Sequence, residues 1–285
     1  MSGFENSKIK KIKGAFFSPT GNVKRIIYTM AQSMGKDLDV PVEYFDFTAL
    51  SVREKTLEVD TDTLLILGTP VYAGRVPNKI LPFIQENIKG NGGMVIPVVS
   101  FGNRSFDDAL MELVLESENN GFRAAAAAAV VSEHAFAENL ASGSPTKGEL
   151  AEIKAFASQI VLNLDEIAEK LAEGKHIEVD GNNPVGPYYT PLGLDGEPAK
   201  FLKAKPKTDS EKCIGCMTCA RSCPMQSIDY DDVTLVTGIC IKCQACISIC
   251  PTEAKYMDDP AFLSHKAMLE KTYSEKKSSK FFSVK

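Results

Sequence analysis

All eight cysteines of the chain fall between residues 213 and 250, and none lies in the first 212. They are spaced Cys213-x2-Cys216-x2-Cys219-x3-Cys223-Pro224, then Cys240-x2-Cys243-x2-Cys246-x3-Cys250-Pro251, each counterpart lying 27 residues further on. A fixed period marks a duplicated structural unit, here one built of metal-binding thiolates. Three cysteines at two-residue gaps can wrap one face of a metal-sulfide cubane while the intervening N–H groups point at its sulfides. The fourth thiolate then comes from elsewhere. Zinc can use paired C-x-x-C units, but a tetrahedral site needs neither a third cysteine at the same gap nor a proline after the fourth in both halves. A disulfide framework would scatter its cysteines along the chain.

Residues 208–258 resemble the bacterial two-cluster ferredoxins, in which the fourth cysteine of each run serves the other cluster. The resemblance implies two [4Fe-4S] clusters, one on Cys213, Cys216, Cys219 and Cys250, the other on Cys240, Cys243, Cys246 and Cys223. Eight thiolates, four per cluster, leave none spare. Gly215 suits a place where backbone approaches a cluster closely, although its repeat counterpart is Lys242. Such modules carry electrons without substrate chemistry of their own, so the clusters must exchange electrons with something else.

The elements upstream alternate between strand and helix. Short apolar runs at residues 11–17, 42–47, 63–68, 94–100 and 122–131 read as strands, and residues 24–34, 78–87, 105–119 and 147–173 read as helices. Continuous apolar strands alternating with helices predict a doubly wound parallel sheet covered on both faces. The run Ala124 to Ala129 favours helix by propensity. It still reads as the fifth strand, because Asn119-Asn120-Gly121 ends a helix and small side chains let helices pack closely.

In such a sheet the chemistry sits beyond the carboxyl ends of the strands, where strand order reverses. Three loops fall there. Ser18-Pro19-Thr20-Gly21-Asn22-Val23 links strand to helix and can enclose a phosphate with hydroxyls and N–H groups. The loop around Pro70-Val71-Tyr72-Ala73-Gly74 places an aromatic among small residues, and Ser100-Phe101-Gly102-Asn103-Arg104-Ser105-Phe106 follows the next strand. Together they resemble the flavodoxins over about residues 11–172, which implies a five-stranded sheet of order 2-1-3-4-5. By that resemblance Ser18, Thr20, Gly21, Asn22 and Val23 hold the FMN phosphate, Val23 standing where many flavodoxins have threonine. Pro70, Val71, Tyr72, Ala73 and Gly74 would border one side of the ring, and Ser100, Phe101, Gly102, Asn103 and Phe106 the other. No G-x-G-x-x-G follows a strand and no G-x-x-x-x-G-K-[ST] occurs, so neither NAD nor ATP has a visible site.

A flavodoxin-like domain before a two-cluster ferredoxin resembles the flavodoxin-ferredoxin fusion proteins of anaerobic bacteria, a likeness extended by Phe101-Gly102-Asn103-Arg104 and Glu133-His134-Ala135-Phe136. The expected organisation is an FMN-binding domain at residues 1–175, a Pro/Gly-rich linker at 176–207, a small α+β ferredoxin domain at 208–260 and a basic tail at 261–285. Tyr188 and Tyr189 would anchor the linker by burial. The tail, with six lysines against two glutamates from residue 261, reads as a solvated end or as a dock for an acidic partner.

Composition excludes other classes. At 44% hydrophobic and 24% charged residues the chain reads as globular, and its net charge of −5 argues against nucleic-acid binding. The longest apolar run, Ala124 to Val131, is far short of the roughly 20 residues a membrane helix needs. The N-terminal lysines precede no apolar region, so the expectation is a cytoplasmic protein. FMN takes one or two electrons and each cluster one, which predicts an electron-transfer protein served by redox partners such as a ferredoxin or flavodoxin. The alternatives are a flavin-dependent reductase passing hydride to a small-molecule acceptor, with the clusters as inlet, or a redox sensor. His134, after the fifth strand, is either a substrate contact or a structural loop residue.

Overall fold

The computed structural model describes residues 9–285. Residues 1–8, part of the N-terminal stretch read for a leader, lie outside the described residues. Strands β1 (Lys11–Phe16), β2 (Val42–Asp46), β3 (Thr63–Pro70), β4 (Met94–Phe101) and β5 (Ala126–Val131) pair in parallel in the order β2-β1-β3-β4-β5. This is the flavodoxin-like doubly wound order, with its switch point between β1 and β3. The register sets Phe16 level with Asp46 and Gly68, and Pro70 level with Ser100, so the three loops leave neighbouring strand ends.

Helix α1 (Asn22–Leu38) packs with α4 (Lys147–Leu162), and α2 (Leu81–Asn87) packs with α3 (Ala109–Asn119). Small strand residues let the helices approach. A Cβ at Gly14 or Gly68 would come within 2.7 Å of Ile27 in α1. The same logic explains the alanines of β5, all fully buried between layers: burial and close packing override their helix preference. Several boundaries differ from expectation. The helix expected from residue 78 begins at Leu81, with Pro82 in its first turn. The stretch 147–173 breaks at Asn163 into α4 and α5 (Leu164–Ala172). Leu57–Val59 and Ile88–Gly90 form a short parallel ribbon that the apolar pattern did not reveal.

Residues 180–189 run over the sheet domain under specific restraint, and the chain beyond them contacts α8 and the cysteine module. The Asp108 carboxylate accepts from the backbone and side-chain nitrogens of Asn182 (both 2.9 Å) and from Gly186 N (2.7 Å). Burial works to raise its pKa, but these donors outweigh it and hold the group below the usual carboxylate range. Tyr188 donates its hydroxyl to Val76 O at 2.9 Å, and Tyr189 N donates to Ala73 O at 2.8 Å. The module that follows is small. Lys207–Thr208 pairs antiparallel with Lys255–Tyr256, and helices α6 (Thr218–Arg221) and α7 (Ala245–Ser248) are single turns.

The C-terminus corrects the reading of residues 261–285 as a solvated basic end. Helix α8 (Pro260–Thr272), N-capped by Asp259, packs Leu269 with Ala137 and Leu140 and sets Phe262 against Phe136 at 4.8 Å. The chain then returns to the sheet as β6 (Lys280–Ser283), antiparallel to β5, with Phe281 opposite Ala128 and 4.7 Å from Phe156 of α4. An open edge of alanine and valine would invite pairing with other chains, and β6 covers it. The lysines follow the strand: Lys276 pairs with Glu149 at 2.8 Å and Lys280 with Asp180 at 2.5 Å.

Candidate cofactor site

The 27-residue repeat is also a repeat of conformation. Met217 and Gln244 open α6 and α7 at φ 62° and 64°, and Gly215 and Lys242 stand at φ 68° and 55°. Lys242 thus adopts the left-handed backbone that glycine takes in the other half, which explains why the glycine is not required twice. Ser227 N donates to Cys223 Sγ at 3.3 Å and its counterpart Ala254 N to Cys250 Sγ at 3.2 Å. Two cavities result. Cys213, Cys216, Cys219 and Cys250 line one, here the first site. Cys223, Cys240, Cys243 and Cys246 line the other, the second site. Among the described residues no three of these side chains converge as ligands of one metal ion would. Four sulfurs ringed around an apolar cavity, with backbone N–H groups on the sulfurs, suit a cubane cluster at each site.

Burial pushes the thiols of Cys243 and Cys246 up to about 12. Hydrogen bonds from Thr218 draw Cys216 below its usual value, and at Cys250 the amides of Thr252, Lys255 and Ala254 outweigh burial. Loading metal at the second site therefore has to displace protons from two reluctant thiols.

In the sheet domain the first loop keeps its donors free. Gly21 has φ 91° and open space where a Cβ would stand, and it N-caps the 17-residue α1 without a side-chain hydrogen bond. Ser18 Oγ accepts from Lys24 N at 2.9 Å, and Arg25 N bonds Gly21 O. The amides of Asn22 and Val23 donate to no acceptor among the described residues. Thr20 is exposed, whereas the Val23 side chain is buried against α1's own face of the sheet, leaving only its amide to serve an anion. A helix N-terminus with free amides and room in front fits a phosphate.

The second loop is a tight turn in which Arg75 N bonds Tyr72 O at 3.1 Å, with Ala73 and Gly74 both at positive φ. Pro70, Val71 and Tyr72 are half-buried. Tyr72 stands close enough to Cys243 and Cys240 for their charges to add to burial in raising its phenol well above the usual value. Arg53 lies on the same seam. It donates to Phe47 O and Thr48 O, and across the domain boundary to Pro224 O and Met225 Sδ, while covering the Phe17 ring. The sequence reading missed Arg53, which sits in an ordinary-looking polar stretch with its partners 171 residues away.

The third loop corrects the expected side-chain border. Ser100 Oγ pairs with Ser132 Oγ at 2.7 Å, and Phe101 and Phe106 are buried 5.4 Å apart. Gly102 lies so close to His134 that a Cβ would approach its ring to 2.4 Å. Asn103, fully buried at φ 67°, donates to Tyr273 O (2.7 Å) and Glu275 O (2.9 Å) and accepts from Lys277 N (2.8 Å). Ser132 and the returning C-terminus thus take up the polar side chains of Ser100 and Asn103, and Phe101 and Phe106 pack on each other. The free amides before α1 thus fit an FMN phosphate, whereas the polar side chains of the third loop have other partners.

The 4Fe-4S dicluster domain family matches residues 212–254. No curated protein matches the chain. Solved structures similar to it include a flavodoxin from the domain Archaea, at 14% identity and a TM-score of 0.41, covering 54% of this chain and 99% of that one. The two-electron reduced flavodoxin of Megasphaera elsdenii is similar at 17% identity and a TM-score of 0.36, over 52% of this chain and 98% of its own. The strand order and the dicluster match together define a flavodoxin-like domain joined to a ferredoxin-type domain. What the chain shows is a doubly wound, flavodoxin-like sheet domain followed by a 4Fe-4S dicluster domain, which makes it an iron-sulfur protein by its matched family. Among the described residues no helix is long and apolar enough to cross a membrane.

Proposed function

We propose that this protein is a cytoplasmic electron carrier in which two [4Fe-4S] clusters exchange electrons with FMN inside one chain. The observation that carries the reading is the seam at Tyr72 and Arg53, where the flavin-side loops meet Cys240, Cys243 and Cys223. The second site is therefore the one nearest the flavin and the first site the outer one. Bound FMN would supply the exchange between one-electron and two-electron traffic. The chain's own part is to hold the phosphate on the amides of Asn22 and Val23, to set Tyr72 between ring and cluster, and to lock the domains through Arg53. The reductase alternative wants a polar pocket with Arg104 or His134 aimed into it. Arg104 instead pairs with Asp107 and lies 4.0 Å over the Tyr189 ring, and His134 packs edge-on to Phe136 at 4.4 Å.

The donor is a reduced low-potential protein carrier, such as a ferredoxin or flavodoxin, entering at the outer cluster. The chain offers no nicotinamide fingerprint. Rapid anaerobic mixing tests this: reduced ferredoxin should bleach the flavin rapidly by way of the clusters, with NADH and NADPH slow. Bleaching by NADPH at catalytic rates, with no response to reduced ferredoxin, would refute the assignment.

A further inference from the structure

The two halves of the ferredoxin module share left-handed backbone at corresponding positions but differ in charge at one buried pair. Lys255 and Ile228 are repeat counterparts, 27 residues apart. Ile228 is 3% exposed and lines the second cavity; Lys255 is also 3% exposed and lines the first. An apolar residue in one half is thus replaced by a cation in the other.

The ammonium is held firmly. Lys255 Nζ donates to Thr208 Oγ1 at 2.6 Å and to Val233 O. No carboxylate forms an ion pair with it among the described residues; the groups that feel its charge are Cys219 of the first site, Cys246 of the second and the exposed Asp232. A buried cation without a counter-ion is costly. Thiolates of a loaded cluster supply that counter-charge, and the charge grows by one when the cluster is reduced. In a low-dielectric interior the attraction to the reduced form exceeds that to the oxidised form. Lys242 and Arg53 feel Cys240 and Cys223 of the second site, but both stand partly in solvent, and the cations nearest the cysteines also donate to backbone. Lys242 donates to Cys240 O at 3.1 Å and to Leu202 O, and Arg221 to Cys216 O.

We propose that Lys255 makes the two cluster sites unequal, raising the reduction potential of the first site above the value it would have with the apolar residue its counterpart carries. The inference rests on the reading that both cysteine sets hold [4Fe-4S] clusters. The step it affects is a bare electron transfer: one electron from an external reductant enters the cluster, with no bond made or broken and no proton moved. The outer cluster then collects the incoming electron and holds it until the inner cluster and flavin accept it.

The test is an anaerobic potentiometric titration of the full-length holoprotein, followed by electron paramagnetic resonance, with the clusters distinguished by the shifted cysteine proton resonances. Lys255→Met and Lys255→Gln should keep about eight irons and lower the electron's preference for the first site by about tenfold, which for one electron is about 59 mV. The second site should move less. Lys255→Gln retains a donor toward Thr208 and Val233 and guards against misfolding in the methionine variant, while Lys255→Arg, which keeps the charge, should titrate like the parent. Full iron with an unmoved first site, or equal movement of both sites, would overturn the proposal. Iron short of two clusters in the parent protein would instead strike the reading beneath it.

Discussion

The cysteine module and the sheet domain hold their cofactor sites by opposite means. In the cysteine module the buried apolar cluster is Cys219, Ala220, Ile228 and Val233, one of its four members itself a ligand. The sheet domain has a continuous core reaching from Ile9 to Val284, and its phosphate site is a handful of backbone amides that contribute nothing to that core. A segment with so little apolar surface to bury depends on its metal for folding. A loop on a large core keeps its shape whether or not an anion is bound. Stripping all of the iron should therefore unfold the module, while removing the flavin should leave the sheet domain standing.

The largest effect expected from that contrast is at Cys223. Cys223→Ala should cost the second cluster, about half of the iron, although Cys223 belongs by sequence to the first run. The neighbouring turn, tied by Ser227 N to Cys223 Sγ, should become protease-sensitive. Iron analysis with cluster-resolved spectroscopy checks this; loss confined to the first site would break the crossed assignment. The next effect is at Gly21. Gly21→Val places a branched side chain in the open space before α1 at a φ that non-glycine residues rarely adopt. The variant should lose most of its FMN and keep about eight irons, with a sheet domain about 1–2 kcal/mol less stable from the strained backbone. Unchanged flavin content would show the loop to be only a turn.

How far each region could be read from sequence follows the same contrast. A thiolate site is written in one residue type at fixed gaps, so the repeat was visible at once, and the phosphate loop was visible as a strand-turn-helix pattern. Asn103 misled because its partners, Tyr273, Glu275 and Lys277, lie about 170 positions away; no local pattern separates a flavin contact from a clamp on a returning chain end. Residues 280–283 were hidden by the lysines around them, which pointed to solvent, whereas Phe281 and the open alanine edge of β5 decided the outcome. Of the run 122–131 read as one strand, Ala126–Val131 is β5 and Arg123–Ala124 pairs separately with β4; the helix end before the run and its small side chains outweighed propensity.

The clamp at Asn103 gives a third, smaller effect, and it sharpens the contrast by testing how the core domain holds its last strand. Asn103→Ala leaves two carbonyls and one N–H without partners and puts alanine in a left-handed backbone, together about 3 kcal/mol. The expected result is a lower denaturant midpoint for the sheet domain and faster proteolysis within residues 273–284, with iron content unchanged. Parent-like stability would mean that β6 is held by its strand pairing with β5 alone.

The smallest effect is one of pH, and it separates the two regions by their titrating groups. Burial, with His265, Arg104 and Lys266 adding repulsion, lowers His134 to about 4. Unfolded, the same ring titrates near 6.5. Between those values the unfolded chain binds the proton and the folded chain does not, so stability falls as pH drops from about 6.5 toward 4 and is fully present above. Allowing for the ring's residual solvent contact, the loss is about 2 kcal/mol. His134→Gln should flatten this part of the pH profile of sheet-domain unfolding, measured by far-ultraviolet circular dichroism in urea, without altering the cluster spectra. An equally steep acid slope in that variant would place the titrating group elsewhere, with His265, also lowered by burial and by Arg104, the next residue to replace.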